Sequence, residues 1–177
     1  YDDKDASLTI RADYKTAGFM NYAQGIFTSD LYIGKRATVR IDVAVPESNE
    51  SSAIHAGNVY LKDNSSLDIK CSNAEQAVLV YSSGHGTHSL DIDTAGSVNI
   101  RMQNQDRLRY SHAFRGRPGA TNSFNMNQVG YMRIVTEGLY NSSAAEEKYD
   151  FDIYPDWKSV NEGLTKVNFA GNGFHQI

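Results

Sequence analysis

Five residues in the middle of the chain have side chains suited to a site that binds or cleaves sugars. Asp91 and Asp93 are alternate residues of one apolar-polar segment, and paired carboxylates can serve as general acid and base or bind hydroxyl groups. Tyr32 and Tyr60 offer ring faces on which sugar rings stack, and Lys62 adds a cation. We therefore predict a ligand-binding face that contains Tyr32, Tyr60, Lys62, Asp91 and Asp93.

Two other interpretations of these residues are possible: an enzyme active site and an ordinary solvated strand face. A lyase would need a basic side chain near the reacting sugar, and a hydrolase would need two acids set apart across it. An ordinary solvated strand face would also carry such polar residues. The residues in equivalent repeat positions are not acidic, so no cluster of three or four carboxylates forms, and we expect no catalytic residue. The equivalents of Asp91 are Tyr32, Tyr60 and Asn125, and those of Asp93 are Gly34, Lys62 and Asn127.

Two further positions could bind a metal or react. His85 and His88 form an H-x-x-H pair, which would ligate a metal only with a third ligand and a rigid support. Because they lie in the Gly-rich stretch Ser82 to His88, we interpret them as surface-loop residues, and we expect no metal and no cofactor. Cys71, the one cysteine, is in phase with Leu67 and Ile69, so we expect an inert thiol buried in the core.

The stretch from Gln103 to Asn122 carries the only local cluster of basic residues. It could hold an anionic sugar or a partner, or it could be a mobile solubilising loop, which is the interpretation we favour. The cluster consists of Arg107, Arg109, Arg115 and Arg117, interleaved with Tyr110, His112 and Phe114.

A repeat from Leu31 to Met102 must position these residues. Three segments each contain a short alternating strand, a polar turn and a second alternating strand. Extended in both directions, the second strand recurs at intervals of 31, 28, 31, 34 and 35 residues. The recurring triplets are Leu8-Thr9-Ile10, Val39-Arg40-Ile41, Leu67-Asp68-Ile69, Val98-Asn99-Ile100, Met132-Arg133-Ile134 and Val167-Asn168-Phe169.

Two more strands per repeat complete the pattern. The preceding strand is Leu31/Ile33, Val59/Leu61, Leu90/Ile92 and Phe124/Met126, and an apolar patch before it is Phe19 to Tyr22, Ala53-Ile54, Ala77 to Val80 and Ala113-Phe114. Three short strands per turn of the chain predict an all-β fold, a single-stranded right-handed parallel β-helix (solenoid) of about six coils. Stacking at roughly 4.8 Å per coil would give a rod on the order of 30 Å long.

Polar residues between the apolar ones support this alignment. Stacking the triplets places Arg40 beside Asp68, and Asp42 between Arg11 and Lys70. Opposite charges on neighbouring strands contribute a few tenths of a kcal/mol each. A slip of one residue would bury these charges, so the pattern favours the stated register.

The chain of 177 residues predicts one domain over 1–177, with regular coils at about 6–136 and a less regular coil and cap at about 137–177. Within the last part, Ala144 to Tyr149 could form a helical turn, and Asp156 to Val160 could begin a cap with Trp157 as its plug. The net charge of -4 and the lack of a basic block indicate no nucleic-acid partner, and no apolar run is long enough for a membrane span.

The stretch SAIHAGNVYLKDNSSLDIKCSN resembles repeats of right-handed parallel β-helix (pectate-lyase-like) proteins of the adhesin-like bacterial surface type. The match comprises Ala53 to Gly57, then Asn58 to Leu61, then Leu67 to Ile69, and the resemblance covers about Ala6 to Thr136. It implies a secreted or cell-surface bacterial module. The same architecture hosts lyases, hydrolases and adhesins, so it does not assign an activity.

We therefore expect a non-catalytic module whose partner is a polysaccharide or a host or cell-surface glycan. A polysaccharide lyase or glycoside hydrolase of the parallel β-helix type is the alternative, with Asp91, Asp93, Lys62 and an arginine from the basic stretch as candidates. A purely structural stalk is a third possibility. The rival fold, a β-sandwich, gives no reason for one apolar pair to recur at near-constant intervals.

Overall fold

The computed structural model describes residues 5–14, 23–45, 51–81, 87–93, 95–103, 112–116, 121–127, 131–136, 151–152, 157–160 and 167–171. These residues form strands and turns, and none of them is helical. The strands are β1 (Ser7–Asp13), β2 (Gln24–Ile33), β3 (Thr38–Ala44), β4 (Ser52–Leu61), β5 (Ser66–Ser72), β6 (Gln76–Val80), β7 (Thr87–Asp93), β8 (Ser97–Gln103), β9 (His112–Gly116), β10 (Thr121–Asn127), β11 (Tyr131–Thr136), β12 (Phe151–Asp152), β13 (Trp157–Val160) and β14 (Val167–Gly171).

The first sheet has six parallel strands in the order β1-β3-β5-β8-β11-β14. Its register is the one that the recurring triplets predict, from Ile10 opposite Ile41 to Ile134 opposite Phe169. The intermediate strands align in the same way, with Ile69 between Ile41 and Ile100. The sequence prediction for this sheet is therefore confirmed strand by strand.

The second sheet is also parallel and runs in the order β12-β9-β6-β4-β7-β10-β13, with β2 paired to β4. The long strand β4 pairs with two different strands on the same side. Its first part pairs with β6, where Ile54 lies opposite Val78, and its second part pairs with β7, where Val59 lies opposite Leu90. In β2 and β4 one continuous strand covers both parts. Further along the chain two separate strands, such as β6 and β7, take these two places.

Apolar side chains from both sheets form one core. Ile41, Ile69, Ile100 and Ile134 are each at most 2% exposed, and Ile10 at the edge of the first sheet is partly buried. Cys71 is fully buried, as predicted, and burial raises the pKa of its thiol to about 12. This core explains the repeat, because apolar residues at one phase of successive parallel strands must lie side by side.

Tight turns connect the second sheet to the first. Lys35 and Arg36 have φ of 50° and 59°, and Asp63 and Asn64 have φ of 57° and 58°. The amide of Arg36 donates to the carbonyl of Asp63 at 2.9 Å, so the two turns are stacked. Left-handed backbone suits Asn and Asp better than Lys or Arg, so this conformation costs less in the Asp63-Asn64 turn than in the Lys35-Arg36 turn.

The outward side chains of the first sheet have the predicted neighbours. Arg40 pairs with Asp68, with 3.9 Å between Nε and Oδ2, and Asn99 Nδ2 donates to Asp68 Oδ1 at 3.1 Å. Asp42 lies between Arg11 and Lys70. Both partners of the Arg40–Asp68 pair are exposed, so the contact contributes at most about 1 kcal/mol.

The first repeat and the C-terminal part of the chain differ from the predicted pattern or lie outside the described residues. The strand opposite Ser52–Ala56 begins at Gln24, so the apolar patch of the first repeat is at Ile26 and not at Phe19 to Tyr22, which lie outside the described residues. Counting five residues back from Leu31, as from Val59 to Ile54, gives Ile26. Trp157 belongs to β13, which extends the second sheet by pairing with β10, and the stretch 144–149 lies outside the described residues.

Candidate functional site

Tyr32, Tyr60 and Asp91 occupy one register position on β2, β4 and β7, as the repeat predicts. The position continues to Asn125 on β10. The rings of Tyr32 and Tyr60 have their centroids 6.5 Å apart at an angle of 40°. Tyr32 is 59% exposed, so one ring of the pair is open to a ligand.

Lys62 and Asp91 form an ion pair beside the tyrosines. Lys62 Nζ lies 2.7 Å from Asp91 Oδ2 and 6.0 Å from the centroid of the Tyr60 ring. The hydrogen bond to Asp91, followed by the negative charges of Asp91 and Asp93, raises the pKa of Lys62 against the opposing effect of partial burial. Lys62 therefore stays protonated, and a cation is held between an aromatic ring and two carboxylates.

Asp63 completes the edge of the site, although the strand pattern in the sequence does not point to it. The hydroxyl of Tyr32 donates to Asp63 Oδ2 at 3.1 Å, and this hydrogen bond raises the pKa of Tyr32. The ring lies over Gly34, where an added Cβ would come within 2.6 Å of Tyr32 Cε1. The missing side chain at Gly34 therefore lets the ring lie against the backbone.

A second pair of polar side chains lies next to the tyrosines. Asn58 Nδ2 donates to Asp30 Oδ1 at 2.7 Å, and the two residues are partners on β2 and β4. They precede Tyr32 and Tyr60 by two positions, so strand alternation places them on the same face. The period-2 pattern was the signal that could have found them.

The structure brings all five predicted residues to one surface. Tyr32, Tyr60 and Asp91 are neighbours by register, and Lys62 contacts both Tyr60 and Asp91. Asp93 follows Asp91 by two positions in β7, and its charge acts on Lys62. We call this surface, with Asp30, Asn58 and Asp63, the tyrosine face.

A chain of rings lies beside the earlier part of these strands, and it includes Tyr81, which directly follows β6. Phe27 and His55 have ring centroids 5.0 Å apart, His55 and Tyr81 6.1 Å, and Tyr81 and His88 6.3 Å. Phe27 is 72% exposed, whereas His88 is only 1% exposed. The ring of His55 is also held by Gln24, whose Nε2 lies 2.6 Å from Nδ1 of His55.

The expectation that His88 belongs to a surface loop is wrong. His88 is the second residue of β7, and its ring is buried. It has the same parity as Leu90 and Ile92, which are fully buried, so alternation along the strand turns it inwards. His85 lies outside the described residues. Among the residues that are described, no three His, Cys, Asp or Glu side chains are placed to hold a metal ion.

The basic stretch is also not a loop throughout. His112, Phe114 and Arg115 lie in β9, which pairs with β6, and all three are buried. Arg107, Arg109 and Arg117 lie outside the described residues. The interpretation as a mobile loop is therefore wrong for residues 112–116. Their strand pairing satisfies the backbone of a segment whose apolar residues complete the core.

The sequence matches no protein-family model, no curated protein and no solved structure. The part of the chain that the structure describes contains no helix long and apolar enough to cross a membrane.

Proposed function

We propose that the chain is a right-handed parallel β-helix of about six coils, related in type to the pectate-lyase-like, adhesin-like proteins of bacterial surfaces. Three recurring registers of parallel strands support this architecture. Right-handed crossover connections between parallel strands are strongly preferred, which supports the handedness. In this proposal the chain is a secreted or surface-attached module that binds a polysaccharide or a cell-surface glycan without cleaving it.

The tyrosine face is the observation that carries the binding proposal. An exposed ring beside a second ring gives an apolar platform for a sugar, and this platform is bordered by an ion pair and by further carboxylate and amide groups. Sugars present apolar ring faces and hydroxyl edges, so aromatic and hydrogen-bonding groups side by side match both. The Tyr32 hydroxyl is already fixed by Asp63, so its ring is oriented before any ligand arrives.

The state of Lys62 supports binding over catalysis. A lysine that abstracts a proton needs a lowered pKa, whereas the contact with Asp91 raises the pKa of Lys62. The alternative, a lyase or hydrolase, predicts that Lys62, Asp91 and Asp93 converge on one surface. That convergence is present, so this alternative remains the second candidate and requires its own assay.

A glycan array followed by calorimetry tests the proposal. We expect the intact chain to bind one or more glycans, and Tyr32→Ala and Tyr60→Ala each to lose about tenfold in affinity, which corresponds to about 1.4 kcal/mol. Phe27→Ala is the matched control, because Phe27 is an aromatic residue on β2 outside the tyrosine face and is 72% exposed, against 59% for Tyr32. Unchanged affinity in both tyrosine variants would refute this site.

Two outcomes separate the other candidates. Incubation with the array-positive polysaccharides, followed by detection of unsaturated products and of new reducing ends, tests for turnover. Turnover that is lost in Lys62→Met and Asp91→Asn would establish the enzyme in place of the binding module. If the chain binds no glycan at all, a purely structural stalk is the remaining candidate function.

A further inference from the structure

The outward face of the first sheet is cationic, although the whole chain has a net charge of -4. One shallow depression of about 320 Å³ on this face is lined by five basic residues and only two carboxylates. The basic residues are Arg11, Arg40, Lys70, Arg101 and Arg133, and the carboxylates are Asp42 and Asp68. A second depression of about 430 Å³ adjoins it and shares Arg40, Asp68, Asn99 and Arg133. We call this surface the cationic face.

The five cations come one from each of five consecutive strands of the sheet. The strands are β1, β3, β5, β8 and β11, in their order across the sheet. Neighbouring strands lie about 4.8 Å apart, so the cations span roughly 19 Å across the sheet. They occupy two adjacent rows: Arg11, Lys70 and Arg101 share one row with Asp42, and Arg40 and Arg133 share the other with Asp68. A band of positive charge of this length suits a linear ligand that carries an anionic group on many of its units.

Two neighbouring cations are unfavourable for the fold itself. Lys70 and Arg101 are direct register partners on β5 and β8, and both side chains are exposed. Like charges directly opposite one another destabilise a pair of strands. The Arg40–Asp68 pair and the position of Asp42 beside Lys70 show that the same face can place opposite charges together. The charges of Lys70 and Arg101 therefore do not favour the pairing of β5 with β8, and they add to the positive potential of this face.

We propose that the cationic face binds an acidic polysaccharide, a chain of hydroxyl-rich sugars that carry carboxylate or sulfate groups. The hydroxyl and amide side chains of Thr38, Ser66, Ser97 and Asn99 line the second depression between the charges. These groups and the carboxylate of Asp68 can bind sugar hydroxyls, while the guanidinium and ammonium groups pair with the acidic substituents.

A nucleic acid fits this face less well. Single-stranded nucleic acids are held by basic grooves with stacking aromatic residues, and Tyr131 is the one aromatic residue among those that line the two depressions. The sequence pI of about 5.7 also differs from the strongly basic character of domains that bind nucleic acids.

The binding of size-defined acidic oligosaccharides tests the proposal. The probes are a heparin fragment for sulfate groups, an oligogalacturonate for carboxylate groups, and dextran as the neutral control. We expect at least one acidic probe to bind, with an affinity that falls as salt is added, and dextran not to bind at this face. Preference between the two acidic probes identifies the anionic group.

Variants locate the site. Exposed charge contacts contribute modestly, so we expect Lys70→Gln and Arg101→Gln to lower the affinity about two- to fivefold each and the double variant roughly tenfold. Lys35→Gln is the matched control, because it removes one exposed positive charge from a turn that does not line either depression. Lys70→Arg keeps the charge and should retain binding.

Three results would overturn the inference. They are no binding of either acidic probe at low salt, equal losses for Lys35→Gln and Lys70→Gln, and tighter binding of oligodeoxythymidylate or duplex DNA than of both acidic probes. Unfolding midpoints of all variants show whether a loss reflects misfolding. The tyrosine face is a separate surface, so Tyr32→Ala should leave the binding of the acidic probes unchanged, and either proposal can fail without the other.

Discussion

Acid should destabilise this fold through one buried histidine. His112 is fully buried in β9, and burial, followed by the charge of Arg115, lowers its pKa from 6.5 to about 3. Its amide donates to the carbonyl of Glu75 at 2.8 Å, and its strand β9 pairs with β6, so the residue lies within the paired sheet. The native state therefore keeps His112 neutral where the unfolded chain already binds a proton.

The sign and size follow from the difference in bound protons. Between about pH 6.5 and about pH 3 the unfolded state holds one proton more on this residue, so the free energy of unfolding falls as the pH falls. From about pH 7.5 to about pH 5 the expected loss is about 2 kcal/mol, because one pKa unit corresponds to about 1.4 kcal/mol. Above pH 7.5 the effect disappears, since both states are then neutral at this position.

The matched variant is His112→Gln. Glutamine already occupies the same register position in β6 as Gln76, so the substitution introduces a side chain that this row accommodates. Urea unfolding at both pH values measures the effect: the original chain should lose about 2 kcal/mol and the variant should lose markedly less. An equal loss in both proteins, or none in the original chain, would refute the assignment of the pH dependence to His112.

Two further predictions concern the core and can be checked by urea unfolding. Ile69→Ala removes a fully buried side chain in the middle of the first sheet and should cost about 2 to 5 kcal/mol; Ile10→Ala, on the partly buried edge strand, should cost less, and equal losses would contradict the interior row. Gly25→Ala would place a Cβ 2.7 Å from the carbonyl oxygen of Ala53, so it should cost about 1 to 3 kcal/mol. Gly34→Ala is its control, because there the Cβ meets only the exposed Tyr32 ring; a cost equal to that of Gly25→Ala would contradict the steric argument.

The first sheet could be predicted from the sequence because β3, β5 and β8 each have one buried face and one accessible face. Leu67 and Ile69 alternate with Asp68 and Lys70, and the structure buries the first two and leaves the second two accessible. When the alternation is this clear, the register of parallel strands follows from aligning like residues.

The earlier part of β4 and the strand β6 could not be predicted in the same way. Residues 51–57 and 74–80 are buried at every position, so apolar and polar residues no longer alternate. Glu75 and Gln76 are buried there and hydrogen-bonded to one another, with Gln76 Nε2 3.0 Å from Glu75 Oε2. A strand that is covered on both faces has no alternation of apolar and polar residues. The polar residues in such a strand are therefore wrongly predicted to be exposed.

The tyrosine face could be predicted in its centre but not at its border. Tyr32, Tyr60 and Asp91 follow from register alone, whereas the contact between Tyr32 and Asp63 depends on a left-handed turn that bends Asp63 back towards the ring. Sequence alignment of repeats compares strands, and turn residues fall outside that comparison.

The cationic face was missed for a different reason. Its five cations lie about 30 residues apart in the sequence, so no local window contains a basic block. The repeat brings them together because each strand of the first sheet supplies one residue to each row, and a side chain that is isolated in the sequence becomes part of a surface. Charge should therefore be counted along the rows of such a fold. Counted over two adjacent rows, the chain, acidic as a whole, presents the cationic face on the first sheet, while the tyrosine face on the second sheet is bordered by carboxylates. The two surfaces should therefore select ligands of different charge.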